Sequence, residues 1–271
     1  MPYPIAKLAY GLRCRLHELA TPVERYRLQT AAGTASICPP IQKTETISGY
    51  FKFDYNDSNT IVKEAWRGID PIDYRKDGIV YDGCDYVQII NAKTHNFDEP
   101  FEYFLNPSAT VKLTNCDICQ QFIEKLSRVF TSNHTVKFSK TTNESFKLNI
   151  PDLLTAFPRA EYLTLYEVPL VETWMADLKK FCHHNLSSLE LSMTVEQMDM
   201  FLADDFVGFL NIQKKDFHLK IVVSDNDKLK RLQRSVLAPF FRQKFKSHPT
   251  LKAYTSNTPG FLVINLHKLY I

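Results

Sequence analysis

Cys116 and Cys119 bracket Asp117 and Ile118 as the chain's one C-x-x-C pair, and Cys182-His183-His184 follow far downstream. Thiolates and imidazoles are the usual tetrahedral zinc ligands, and a low-pKa thiolate can also work in redox exchange. The long separation is uncharacteristic of a zinc site, there is no second C-x-x-C, and nothing nearby resembles a thioredoxin-type active site. The plainer reading is two core-facing cysteines near a helix start; no metal and no cofactor are expected. A glycine-rich phosphate loop, a G-x-S-x-G elbow and an H-E-x-x-H helix are all missing. With 8 glycines in 271 residues, backbone able to cradle phosphate is scarce. These residues point to a chain that is not an enzyme.

Two other constellations carry charge. Residues 228 to 246 hold Lys228, Lys230, Arg231, Arg234, Arg242, Lys244 and Lys246 interleaved with Phe240, Phe241 and Phe245. That pattern invites a nucleic-acid or membrane-surface reading. A helix with apolar residues inside and charges in water is the plainer reading, because 33 basic against 30 acidic residues give no overall drive toward nucleic acid. The second constellation depends on strand register. If Leu163 and Leu165 point inward, Tyr162, Thr164 and Tyr166 point outward. The same alternation on the related strands places Lys112, Lys137, Thr164, Glu190, Lys220 and Lys252 as a ladder flanked by Tyr166 and Tyr254. Tyrosine among charges suits a protein interface, so these eight residues are the candidate target-binding set.

The elements that must position these groups fall into three parts. Residues 1–34 read as helical: Leu8, Leu12, Leu16 and Leu19 recur at helical steps on one face. Thr21 caps a second helix, Pro22 suits its first position, and Glu24 completes a capping box. Gly33 ends it, and Cys38-Pro39-Pro40 enforces an extended linker. Residues 44–105 change period. Phe51, Phe53 and Tyr55 alternate with Lys52 and Asp54 as a half-buried strand, a turn falls at Asn56 to Asn59, and Asp82-Gly83 signals another hairpin. A small antiparallel β segment is expected there.

From 109 to 271 the chain repeats. Two apolar residues flank a polar one at Val111-Lys112-Leu113, Val136-Lys137-Phe138, Leu163-Thr164-Leu165, Leu189-Glu190-Leu191, Leu219-Lys220-Ile221 and Leu251-Lys252-Ala253. Helix-like stretches lie between them, with Ile118, Phe122 and Leu126, with Trp174, Leu178 and Phe181, and with Leu229, Leu232 and Val236. A period in the twenties built from one strand and one helix predicts an α/β leucine-rich-repeat-like solenoid, although the asparagine usual after such strands is missing. An ordinary α/β domain is the alternative; in either case the strands lie parallel in one sheet with helices behind it.

Hydrophobic content of 44% and charged content of 23% are ordinary for a soluble globular chain. The amino end has no apolar run suited to a signal peptide, and no stretch approaches the length needed to span a bilayer. Six scattered cysteines read as reduced thiols. The sequons at Asn56, Asn133, Asn143 and Asn185 are then chance matches, and a cytoplasmic location, extending to the nucleus, is expected.

The amino-terminal segment from Tyr3 to Gly33 resembles a divergent nematode-type F-box. Leu8 matches the opening leucine of that motif, with Ala9 in place of its proline. Leu12 and Leu16 match the apolar positions that follow, and Leu19 or Ala20 matches the last one before the break. Thr21-Pro22-Val23-Glu24 matches the Ser-Pro-x-Asp break, and Leu28 falls in the second helix. The third-helix valine, cysteine and tryptophan of the family are replaced by Cys38-Pro39-Pro40. The resemblance, joined to a repeat-like tail, implies a substrate receptor of a Skp–cullin–F-box ubiquitin ligase. Leu8, Leu12, Leu16, Leu19, Pro22 and Leu28 would dock a Skp-type adaptor, and through it a cullin, while the ladder holds an unknown target protein. A leucine stripe beyond a proline linker can be buried in a partner's groove, or on the chain's own middle sheet. The rivals are a stand-alone interaction scaffold and a nucleic-acid binder using residues 228 to 246; no membrane partner is expected.

Overall fold

A computed structural model describes the chain apart from residues 1–6, 34–36, 47–49, 57–58, 65–77, 96–98, 182, 195–196, 199–202, 225–250, 259–260 and 269–271. The chain forms two units, Met1–Ser132 and Asn133–Ile271.

The first unit opens with α1 (Tyr10–Leu19) and α2 (Pro22–Ala32). The capping box forms as expected: Thr21 Oγ1 accepts from the Glu24 N–H at 3.3 Å, and Glu24 Oε2 accepts from the Thr21 N–H at 2.9 Å. Gly33 ends α2 at φ 68°, a left-handed turn that glycine takes without a Cβ clash. The helices differ in how they are held. No residue of α1 is fully buried, whereas Val23 of α2 packs with Val80 and Leu105, and Tyr26 leans on the same cluster.

Cys38-Pro39-Pro40 is not a free linker. The Gln29 side chain donates to the Cys38 carbonyl at 2.6 Å and the Pro40 carbonyl at 2.9 Å, and accepts from the Gln42 N–H at 2.9 Å. Ile37 and Cys38 are buried beside it. A buried amide that satisfies three backbone groups outcompetes the extended path that prolines alone would favour. Replacing Gln29 with leucine is expected to cost about 1–2 kcal/mol, read as a lowered urea midpoint at unchanged slope.

Five strands follow: β1 (Thr44–Thr46), β2 (Tyr50–Asn56), β3 (Asn59–Glu64), β4 (Val80–Ile90) and β5 (Phe104–Cys116). The order is β3-β2-β4-β5, with β1 also pairing β4. Only β2 and β3 are antiparallel, a hairpin at the expected place; β1–β4, β2–β4 and β4–β5 are parallel. The expected antiparallel segment is therefore a mostly parallel one. Asp82-Gly83 makes no hairpin, because β4 runs straight through it. Gly83 takes φ 81°, and the register shifts between Cys84 and Tyr86, so the left-handed glycine is used beside a bulge instead of a turn. Phe104 sits edge-on to Phe51 at 4.8 Å and to Phe53 at 5.2 Å, and Phe101 meets Phe53 at 5.0 Å. Helix α3 (Gln120–Val129) follows and buries Phe122, Ile123 and Leu126.

The second unit alternates β6 (Thr135–Thr141), α4 (Ile150–Ala156), β7 (Tyr162–Tyr166), α5 (Trp174–Lys180), β8 (Ser188–Met193), α6 (Ala203–Ile212) and β9 (His218–Ser224). Strands β10 (Leu251–Thr258) and β11 (Phe261–Lys268) complete it. The order is β6-β7-β8-β9-β11-β10. The first four are parallel, while β11 is antiparallel to both β9 and β10.

This is a mostly parallel α/β sheet fold, not a leucine-rich-repeat solenoid. In a solenoid each unit adds one equivalent strand in chain order. Here the sixth expected repeat, Leu251-Lys252-Ala253, lies beyond β11, which turns back and inserts next to β9. The intervening helices also differ in length, 7, 7 and 10 residues. What made the repeat visible is the burial pattern shared by parallel strands with helices on one side. Val136, Phe138, Leu163, Leu165, Leu189, Leu191, Leu219, Ile221, Ile264 and Leu266 are all buried, against Leu153 and Leu154 of α4, Trp174 and Leu178 of α5, and Phe206 and Phe209 of α6. Among the described residues no helix is long and apolar enough to cross a membrane.

Candidate functional site

Alternation leaves the opposite face of the second unit's sheet polar. The parallel register sets Lys137 beside Thr164, Thr164 beside Glu190, and Glu190 beside Lys220. One step toward the amino ends of β6 to β9, Thr135, Tyr162, Ser188 and His218 form a second row, which His267 of the antiparallel β11 continues. Strand spacing of about 4.8 Å sets the members of each row side by side.

Glu190 is the hub. Its Oε2 accepts from the Tyr166 hydroxyl at 3.0 Å and from Thr164 Oγ1 at 3.4 Å, and its Oε1 is ion-paired with Lys220 Nζ. Burial pushes the Glu190 carboxyl up, but the Lys220 and Tyr166 hydrogen bonds outweigh it and hold the group below the ordinary carboxylate value. The hydrogen bond to Glu190 raises Lys220 in return. Tyr166 is raised by burial and by the Glu190 charge, so it stays a neutral donor.

Lys137 has no ion-pair or hydrogen-bond partner among the described residues. It lines a shallow open depression with Thr135, Tyr162, Thr164, Ser188 and Glu190. At the far side, the His218 and His267 rings stack at 4.2 Å. His218 also meets Asn265 Oδ1 at 3.3 Å and Ser188 Oγ at 3.4 Å. Burial lowers both histidines, and the charge of His218 adds to the effect on His267. Both are neutral near pH 7.

The fold thus brings Lys137, Thr164, Tyr166, Glu190 and Lys220 together. Lys112 stands in the first unit, beside Gln88. Lys252 and Tyr254 pair through their backbones with His267 and Asn265; their side chains lie outside the described residues, as does the whole of 228 to 246 with Leu229, Leu232 and Val236. The histidine pair, Ser188 and Asn265 were not singled out from sequence. The signal was there, since His218 and Ser188 each sit two residues before a ladder position.

The C-x-x-C pair divides. Cys116 is buried, its thiol pushed up to about 11 by burial, and it donates toward the Ile89 carbonyl at 3.6 Å. Cys119 is half-buried before α3, with its sulfur 3.2 Å from Thr94 Oγ1. His184 stacks on Phe181, and Cys182 lies outside the described residues. No group of three potential metal ligands occurs among the described residues.

A further polar chain marks the carboxyl ends of the first unit's strands. Asn115 donates to Asn91 at 2.7 Å, and Asn91 donates to Asp54 at 3.1 Å. Both asparagines are left-handed, at φ 55° and 59°, which their short polar side chains tolerate.

In the amino-terminal leucine set, Leu12 and Leu19 are 57% and 70% exposed, Leu8, Leu16 and Leu28 are half-buried, and Pro22 is buried. Leu8 precedes α1.

No family model matches the chain, and no curated protein matches it. Among solved structures it is similar to an rRNA methylase from Streptococcus thermophilus, at 9% identity over 67% of this chain and 88% of that one, with a TM-score of 0.27. It is also similar to the N-methyltransferase NodS from Bradyrhizobium japonicum WM9, at 8% identity over 69% of this chain and 86% of that one, with a TM-score of 0.22. No F-box or repeat model is among matches to the chain, and its sheet is not a repeat solenoid. The F-box reading is withdrawn, and with it the Skp adaptor, the cullin, the target protein and the assignment as a non-enzyme. The scaffold and nucleic-acid alternatives go with them. The structure supplies a physical reason at the amino end, because α2 and the Cys38-Pro39-Pro40 segment are packed into their own unit. No partner is assigned to the exposed Leu12 and Leu19. At TM-scores this low, neither likeness gives this chain an activity, substrate or methyl donor.

Proposed function

We propose that the polar sheet face of the second unit binds a small anionic ligand rich in hydrogen-bonding groups. The observation that carries this reading is the inequality of its two lysines. Lys220 is spent on Glu190, whose two oxygens are also engaged by Tyr166 and Thr164. Lys137 is unspent and stands over a depression lined by the hydroxyls of Thr135, Thr164 and Ser188 and by the half-exposed Tyr162. With the histidines neutral, one positive charge among the described residues of this face, Lys137, is uncompensated, and an anion is what completes it. Lys112, Lys252 and Tyr254 stay candidates on their own strands. A cytoplasmic location goes with this reading, supported by five described cysteines that form no disulfide with one another.

Inorganic phosphate and citrate serve as probes, followed by amide chemical shifts of β6 to β8. Saturable shifts are expected in the wild type. Lys137→Met should weaken them about tenfold or more, the loss of one charge-assisted contact. Lys147→Met, at an exposed lysine paired with Glu172, should leave them intact. Equal weakening by both variants, or no saturation, would sink the proposal.

A further inference from the structure

We infer that Cys14 and Cys38 are a peroxide-oxidisable pair that locks α1 onto the segment following α2. The two are far apart in sequence, and the fold brings Cys38 up against the backbone of α1 beside Cys14. Cys38 Sγ lies 4.0 Å from the Arg13 carbonyl oxygen, which belongs to the peptide that joins Arg13 to Cys14. Arg25 of α2 reaches across at the same place, its Nη1 2.9 Å from His17 Nε2 on α1. Three segments therefore converge at Cys38: burial raises its thiol, the Arg25 guanidinium favours its ionisation and the nearby Cys14 thiol opposes it.

The two thiols have different access, which fixes their roles. Cys14 is half-exposed on a helix that buries none of its residues, and Cys38 is fully buried. Oxidation begins at the exposed sulfur. The Cys14 thiolate attacks one oxygen of hydrogen peroxide, the O–O bond breaks, and the released hydroxide takes up a proton as water, leaving Cys14 sulfenic acid. The Cys38 sulfur then attacks the Cys14 sulfur. The S–O bond breaks, its hydroxyl takes the Cys38 proton and leaves as a second water, and the S–S bond remains. Two thiols have lost two electrons and one peroxide has gained them. Cys84 and Cys116 are spectators: burial pushes both thiols up to about 11, so almost no thiolate exists near neutral pH.

The consequence is mechanical. In the reduced protein α1 is held by half-buried contacts and the Arg25–His17 hydrogen bond. In the oxidised protein it is tied covalently to the buried segment that Gln29 anchors.

The test treats the full chain with hydrogen peroxide and maps it by non-reducing tryptic digestion and mass spectrometry. The wild type is expected to yield a linked Cys14–Cys38 peptide pair that dithiothreitol separates, with Cys84 and Cys116 unmodified. Cys14→Ser, at a half-exposed position that does not endanger folding, should abolish the link and leave Cys38 reduced. Cys38→Ser should carry Cys14 on to the sulfinic acid for want of a resolving thiol. Sulfinic acid at Cys14 in the wild type, or linkage of Cys14 to any other cysteine, overturns the inference.

Discussion

Alanine in place of Trp174 is expected to remove about 3–5 kcal/mol from the second unit, a large share of the 5–15 kcal/mol that holds a typical domain together. Trp174 opens α5, is 2% exposed, and meets Phe209 of α6 edge-on at 5.8 Å. Helix α5 packs against α4 on one side and α6 on the other, so the cavity would open where all three helices face the strands. Close-packed interiors do not fill such a space by small shifts. Trp174→Phe should recover much of the loss by keeping a ring there. Amide hydrogen exchange on β7, β8 and β9 reads the effect locally. Unchanged protection on those strands in the alanine variant would mean that the tryptophan is not the keystone of this core.

Lys220→Met should cost about 1–3 kcal/mol near neutral pH, between the small value of exposed ion pairs and the 3–5 kcal/mol of buried ones. The side chains of Lys220 and Glu190 are 29% and 24% exposed, which sets the intermediate size. The pH dependence follows from the two directions. Glu190 is held below its unfolded value, so its contribution is present above that value and disappears as pH falls through the lower folded one. Lys220 is raised, so its contribution is present below the ordinary lysine value and disappears as pH rises through the higher folded one. Between these limits the contribution of the pair is constant. Without Lys220, burial pushes the Glu190 carboxyl up, and the variant should close its deficit as acid protonates that group. Urea unfolding across the acid range measures this; a deficit that persists after Glu190 is protonated would mean the methionine disturbs packing instead of charge.

The parts of the fold that follow from local chemistry were legible in the residues. The Thr21-Pro22-Val23-Glu24 cap is local, and it forms. The inward leucines and outward polar residues of β6 to β9 follow from alternation, and they form in register. Where partners come from far along the chain, local signals pointed elsewhere. Asp82-Gly83 is a hairpin signal by composition, but β1, β2 and β5 all pair with β4, and that continuous pairing wins over one turn. Leu251-Lys252-Ala253 carries the repeat's pattern, yet pattern alone does not say which neighbour a strand takes or in which direction. The prolines after Cys38 favour extension until Gln29, nine residues earlier, supplies the bonds that fold them back. For the candidate site, outward orientation of the ladder was readable strand by strand. The sharing of Glu190 among three donors, which singles out Lys137, needs the register between strands.

The place of β11 has a consequence for biosynthesis. A nascent polypeptide leaves the ribosome from its amino end, and domains form as their residues emerge. Strands β6 to β9 can assemble in that order, each onto the one before. The second edge of β9 then waits for β11, the strand made after β10, since β10 reaches the sheet only through it. Throughout that interval β9 presents an apolar strand with unpaired backbone groups, the kind of edge that templates pairing with another chain. Translation speed across residues 225 to 268 therefore governs how long a half-made sheet is open to its neighbours on the same polysome.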